Sequence, residues 1–70
     1  MNSVERLVYM ANQIARNLAT DADPVAATAR HIQLYWDPRM KGLIFENGGE
    51  GLSPHAAAAI SKLAESHNET

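Results

Sequence analysis

Three histidines, four serines and eight acidic residues carry most of the acid, base, nucleophile or metal-ligand chemistry this 70-residue chain has to offer; cysteine is absent. Each type needs a particular spacing to become reactive, and none of them has it. His31, His55 and His67 do not pair with each other or with a carboxylate at the spacing of a helical HExxH metal site. Of Ser3, Ser53, Ser61 and Ser66, two sit where helix caps belong and none lies in a nucleophile elbow. Asp21, Asp23 and Asp37 are accounted for by turns and caps, which leaves no general acid–base pair. Without cysteine the chain has no disulfide, no thiolate metal site and no thiol nucleophile. The glycine-rich stretch Asn47-Gly48-Gly49-Glu50-Gly51 fits neither GxGxxG nor GxxxxGK[ST], and no strand precedes it, so it reads as a turn rather than a phosphate cradle.

The densest cluster of mixed chemistry is Tyr35-Trp36-Asp37-Pro38-Arg39-Met40. It holds the only Trp, an acid, a turn-setting Pro, a base and a flexible apolar residue in six positions. Arg30, His31 and Lys41 flank it. Trp and Arg are the side chains most enriched at the energetic centres of protein interfaces. The chemistry implied is therefore recognition rather than catalysis. The candidate partner-binding residues are Arg30, His31, Tyr35, Trp36, Asp37, Pro38, Arg39 and Met40. Trp36 is expected to anchor the core with one edge and present the other. Arg39 is the one residue of the run without a structural task.

Four helices must position that run. Leu7, Ala11, Ile14 and Leu18 recur at helical spacing, with Met10 and Ala15 widening the stripe, and predict a helix over 3–19. Arg6, Asn12, Gln13 and Arg16 supply much of its wet side. Asn2 followed by Glu5 resembles a capping box at its start. Asp23-Pro24 opens a second helix over 24–36, because the carboxylate caps free N–H groups and Pro is preset for the first helical position. Its apolar face is Val25, Ala29, Ile32 and Trp36. Asp37-Pro38 repeats the device and predicts a third helix over 38–47 with Met40, Leu43 and Ile44 inward and Phe45 beside them. The residue before a Pro is pushed out of the α region, so the second and third helices meet at a corner with almost no loop. Gly42 weakens the third helix by about 1 kcal/mol relative to Ala. Three of the four glycines fall in the loop 47–51. Ser53-Pro54 starts a fourth helix over 54–66, with Ala56, Ala57, Ile60, Leu63 and Ala64 on its stripe, and the polar tail 66–70 is expected to fray. The expectation is one all-α domain over 1–70, a small four-helix unit with Asp-Pro and Ser-Pro helix starts.

Composition sets the function classes. A chain of this length buries only about 60% of the surface it exposes when unfolded, so the core is thin and favours a partner or a homo-oligomer. The formal net charge is -2, with six Lys and Arg against eight Asp and Glu. That argues against nucleic acid, which calls for a basic surplus. A small helical nucleic-acid-binding or other protein-interaction module is the alternative reading, because the sharp second corner has the look of a helix-turn-helix. No run reaches the roughly 18 apolar residues of a membrane span, and the N-terminal segment lacks the pattern of a secretory signal. The expectation is a cytoplasmic protein with no membrane partner.

Met10-Ala11-Asn12-Gln13-Ile14-Ala15, then His31-Ile32, then Trp36-Asp37-Pro38-Arg39-Met40, resembles the small delta subunit of soluble NAD-dependent formate dehydrogenases. The order of elements also agrees, with a Gly-containing loop (Asn47–Gly51) followed by Leu52-Ser53-Pro54. Tyr35 stands where the family pattern has Phe. The last helix is similar only in character. This resemblance implies a non-catalytic accessory subunit with no cofactor of its own. Its partner is implied to be the catalytic subunit of a molybdenum-dependent formate dehydrogenase, in a complex that carries a bis-molybdopterin guanine dinucleotide molybdenum centre, iron–sulfur clusters and FMN. The implied role is docking on that subunit and supporting its assembly, stability or cofactor loading.

Overall fold

The computed structural model describes residues 2–68, and the side chains of residues 2–66. Four helices follow in order: α1 (Ser3–Asn17), α2 (Pro24–Tyr35), α3 (Pro38–Glu46) and α4 (Pro54–Asn68). No strand occurs among the described residues, and the protein is all-α.

Each helix start is built from the cap residue its sequence announces. Asn2 Oδ1 accepts from the Glu5 backbone N–H at 2.8 Å, and its amide donates back to Glu5 Oε1 at 3.2 Å. Asp23 Oδ1 accepts from Ala26 N–H at 3.2 Å, and Asp37 Oδ1 from Met40 N–H at 2.8 Å. Ser53 Oγ accepts from Ala56 N–H at 3.3 Å. Each bond satisfies one of the free N–H groups that a helix start leaves without an intrahelical partner.

Helix ends differ from the sequence expectation by one or two residues. α1 stops at Asn17 instead of 19, because the Ala19 N–H turns back to the Arg16 carbonyl at 3.3 Å in a tighter turn. α2 stops at Tyr35 instead of 36. Trp36 still donates its N–H to Ile32 at 2.9 Å, but its own backbone is extended (φ -93°, ψ 138°). Asp37 is extended as well (φ -77°, ψ 167°), as a residue before Pro must be. These two residues make the whole corner between α2 and α3. α3 stops at Glu46 instead of 47, where Asn47 N–H bonds to Ile44 at 3.3 Å. α4 runs to Asn68 rather than 66; the frayed tail expected from 66 onward falls partly on Glu69 and Thr70, outside the described residues.

The core gathers Leu7, Ala11 and Ala15 of α1, Ile32 and Trp36 around the end of α2, Ile44 of α3, and Ala56, Ile60 and Leu63 of α4. Helices α2 and α4 share the most extensive contact. Small residues make it possible: Ala29 on one side and Ala56 and Ala59 on the other are buried, the latter two completely. Thr28 lies buried at 0% exposure, and its hydroxyl has no hydrogen-bond partner among the described residues.

Candidate functional site

The recognition run of the sequence divides between the core and two different surfaces. Trp36 is only 5% exposed. The expectation that it presents an edge to a partner is therefore corrected: the indole belongs to the core formed with α1, α3 and α4, and its neighbours carry the surface. Trp36 lies on the inward stripe with Ile32, so the residues just before it fall on the outer side. Tyr35 is 72% exposed and Leu34 67%. The His31 and Tyr35 rings, one helical turn apart, lie with centroids 4.7 Å apart at a 45° tilt. This contact steadies the Tyr35 ring in a solvent-facing position.

Arg30, His31, Leu34 and Tyr35 edge a depression of about 400 Å³ whose far side is the α1–α2 connection. Asp21 and Asp23 stand on that far side, but their carboxylates are partly engaged: Asp21 Oδ1 accepts from Asp23 N–H at 3.1 Å, and Asp23 caps α2. Asp37, Arg39 and Met40 belong elsewhere. They border a second depression, of about 410 Å³, shared with the first turns of α1. The two depressions have no lining residue in common. Of the eight candidates, Arg30, His31 and Tyr35 thus line one depression and Asp37, Arg39 and Met40 the other, while Trp36 is buried and Pro38 lines neither.

Lys41 also has a task that sequence reasoning missed. Its ammonium donates to the Gln33 carbonyl at 3.0 Å, in the last turn of α2. Helix C-termini leave carbonyls unpaired and carry negative dipole charge, so a cation there is favourable. Lys41 braces the corner from the α3 side, while Asp37 braces it by capping α3. The Arg39 side chain makes no hydrogen bond or ion pair among the described residues and is exposed.

A third arrangement, invisible to local pattern reading, fixes the loop after α3. Asn12 on α1 donates through Nδ2 to the Gly51 carbonyl at 3.0 Å and accepts through Oδ1 from the Ser53 N–H at 2.8 Å. One amide therefore clasps both ends of Gly51-Leu52-Ser53, 39 and 41 residues away in sequence. Inside the loop Asn47 Nδ2 donates to the Glu50 carbonyl at 2.7 Å. Gly48, Gly49 and Gly51 take φ values of 70°, 85° and 80°, a region that L side chains rarely adopt. A Cβ at Gly51 would also come within 3.2 Å of Val8 Cγ1. Asn12 is thus not simply part of the wet side of α1, as its polarity suggests. The signal that could have found it is its place on α1, one turn after Val8 and beside the Ala11–Ala15 stripe rather than opposite it. Leu34 is a second residue that the pattern missed. It lies about 200° around α2 from Ile32, an apolar residue on the polar side.

Among the described residues no cluster of three His, Cys, Asp or Glu side chains could hold a metal ion. His31 is half-buried against Tyr35, His55 is exposed at the start of α4, and the side chain of His67 lies outside the described ones. No helix among the described residues is long and apolar enough to cross a membrane.

The model of the family described as NADH-dependent formate dehydrogenase delta subunit FdsD matches residues 6–60. The chain belongs to this delta-subunit family. No curated protein and no solved structure matches it. The delta-subunit match begins in the first turns of α1 and ends in the middle of α4. It takes in the Asn12 clasp, the exposed end of α2, the Asp37-Pro38 corner and the glycine loop. What it leaves out are residues 1–5 and the part of the chain after residue 60, which includes the distal part of α4.

Proposed function

We propose that this chain is a non-catalytic accessory subunit of a molybdenum-dependent, NAD-linked formate dehydrogenase. It docks on the catalytic subunit and supports that subunit's assembly, stability or cofactor loading in the cytoplasm. The molybdenum centre, iron–sulfur clusters and FMN belong to the larger subunits of the complex. The observation that carries this reading is membership of the delta-subunit family over most of the chain's length.

The surface supports it. Tyr35 and Leu34 stand out from the end of α2 at 72% and 67% exposure, although a chain this small has every reason to bury its large apolar side chains. They are flanked by His31 and Arg30, and the helix beneath them is held by Trp36 in the core and by the Lys41 brace. Aromatic anchors beside Arg on a rigid helix are what a protein–protein contact needs. Asp37 and Pro38 set the angle at which this surface meets the second one, carried by Arg39 and Met40. The nucleic-acid alternative draws nothing from the arrangement: Lys41 is engaged at a helix end, and the net charge is -2.

The test is to produce the formate dehydrogenase complex with and without this chain. The expected result is that the chain co-purifies with the catalytic subunit, and that its omission lowers the molybdenum content or the yield of intact complex. Equal yield, equal molybdenum content and no co-purification would reject the reading.

A further inference from the structure

The depression between α1 and α3 has a composition of its own. Its floor is apolar and adaptable: Leu7 and Met10 from α1, Met40 and Leu43 from α3. Leu7 is buried, and the other three are only partly covered. Two arginines stand at its edge, Arg6 from α1 and Arg39 from α3, both exposed. Neither makes an ion pair or hydrogen bond through its side chain among the described residues. The one acid in the lining, Asp37, already accepts the Met40 N–H at 2.8 Å. Glu5, the nearest acid in sequence to Arg6, is held by Asn2 and does not line this depression. In a chain with net charge -2, this groove carries two cations against one committed carboxylate.

From this we infer that the α1–α3 groove binds an acidic amphipathic segment of the partner protein, with one or two apolar side chains seated on the Leu7, Met10, Met40 and Leu43 floor and carboxylates paired with Arg6 and Arg39. The inference rests on the docking role proposed above and names a site distinct from the Leu34–Tyr35 face. Charge complementarity selects the occupant. A second copy of this acidic chain would bring net repulsion, and a small anion alone would leave the apolar floor uncovered. Methionines suit such a floor, because their unbranched side chains repack around an inserted apolar group. Arginine suits the rim, because its planar fork receives a carboxylate through two parallel bonds.

The experiment uses the full chain and the purified catalytic subunit. The affinity of wild type, Arg6→Gln/Arg39→Gln and Arg6→Glu/Arg39→Glu is measured at low and high salt, with circular dichroism confirming the fold of each. The expected result is a weakening of about tenfold or more for the charge-reversed variant, a smaller loss for the neutral one, and a salt dependence that is steep for wild type and flat for the neutral variant. A photocrosslinker at Leu43 in the complex is expected to capture a partner peptide in which Asp or Glu alternates with apolar residues at helical spacing. Equal affinity of all three proteins for the catalytic subunit would overturn the inference while leaving the docking role intact. So would a crosslink to a second copy of this chain, or to a basic or neutral peptide. Failure of the wild type itself to bind would instead reject the docking role on which the inference rests.

Discussion

Asn12 shows how much of this molecule turns on single polar side chains. Its amide makes two hydrogen bonds that tie the glycine loop and the α4 start to α1. At about 0.5–1.5 kcal/mol for each bond, Asn12→Ala is expected to cost on the order of 1–3 kcal/mol in chemical denaturation. Asn12→Asp keeps the acceptor for Ser53 N–H but loses the donor to Gly51, so it should destabilise as well, through the lost bond and the repulsion of two facing oxygens. Equal stability of wild type and Asn12→Ala would show that the clasp is incidental. Thr28 gives the opposite sign. Its hydroxyl is fully buried and unpaired among the described residues, a penalty of about 1–3 kcal/mol that an apolar group of the same shape does not incur. Thr28→Val is expected to raise stability by about 1 kcal/mol, and a lower melting temperature for the variant would contradict this account of the site.

At the scale of elements, the glycines separate into two kinds. Gly42 sits inside α3, and a Cβ added there would meet nothing within 4 Å, so it carries only the entropic penalty of a glycine in a helix. Gly42→Ala should stabilise by about 0.5–1 kcal/mol. Gly51 has φ +80° and Val8 at 3.2 Å from its would-be Cβ, so Gly51→Ala should destabilise, by about 1 kcal/mol or more. Urea titrations of the two variants side by side give the comparison, and shifts of the same sign would contradict it. The helix starts are legible from sequence because each is local: Asn2, Asp23, Asp37 and Ser53 lie within three residues of the N–H they cap. The apolar stripes are legible for the same reason. The clasp, the Lys41 brace and the division of the recognition run are not. They join positions 39 and 41 residues apart, cross the corner, or depend on which side of α2 faces α4. Trp36 illustrates the difference: its place on the stripe is readable, whereas its nearly complete burial depends on the core it shares with residues of α1, α3 and α4.

The whole molecule has a Cα radius of gyration of 10.9 Å, against about 11 Å expected for a compact chain of this length. Its compactness rests on a small core in which Trp36 is the largest side chain, so Trp36→Ala should cost about 3–5 kcal/mol and act on binding only through loss of the fold. Leu34 and Tyr35 behave in the opposite way, since they add little to the core and most to the outer surface. Core and surface roles thus fall on adjacent residues of one helix end, which is why the run has the look of a single patch in the sequence. Membership of the delta-subunit family places the chain among its relatives, and the helix geometry says which side chains face outward. The most direct test is the affinity of the Leu34→Ala/Tyr35→Ala chain for the formate dehydrogenase catalytic subunit, with its thermal stability measured in parallel. The account predicts a melting temperature close to that of wild type and binding weakened by about tenfold or more; unchanged binding by the folded variant would contradict it.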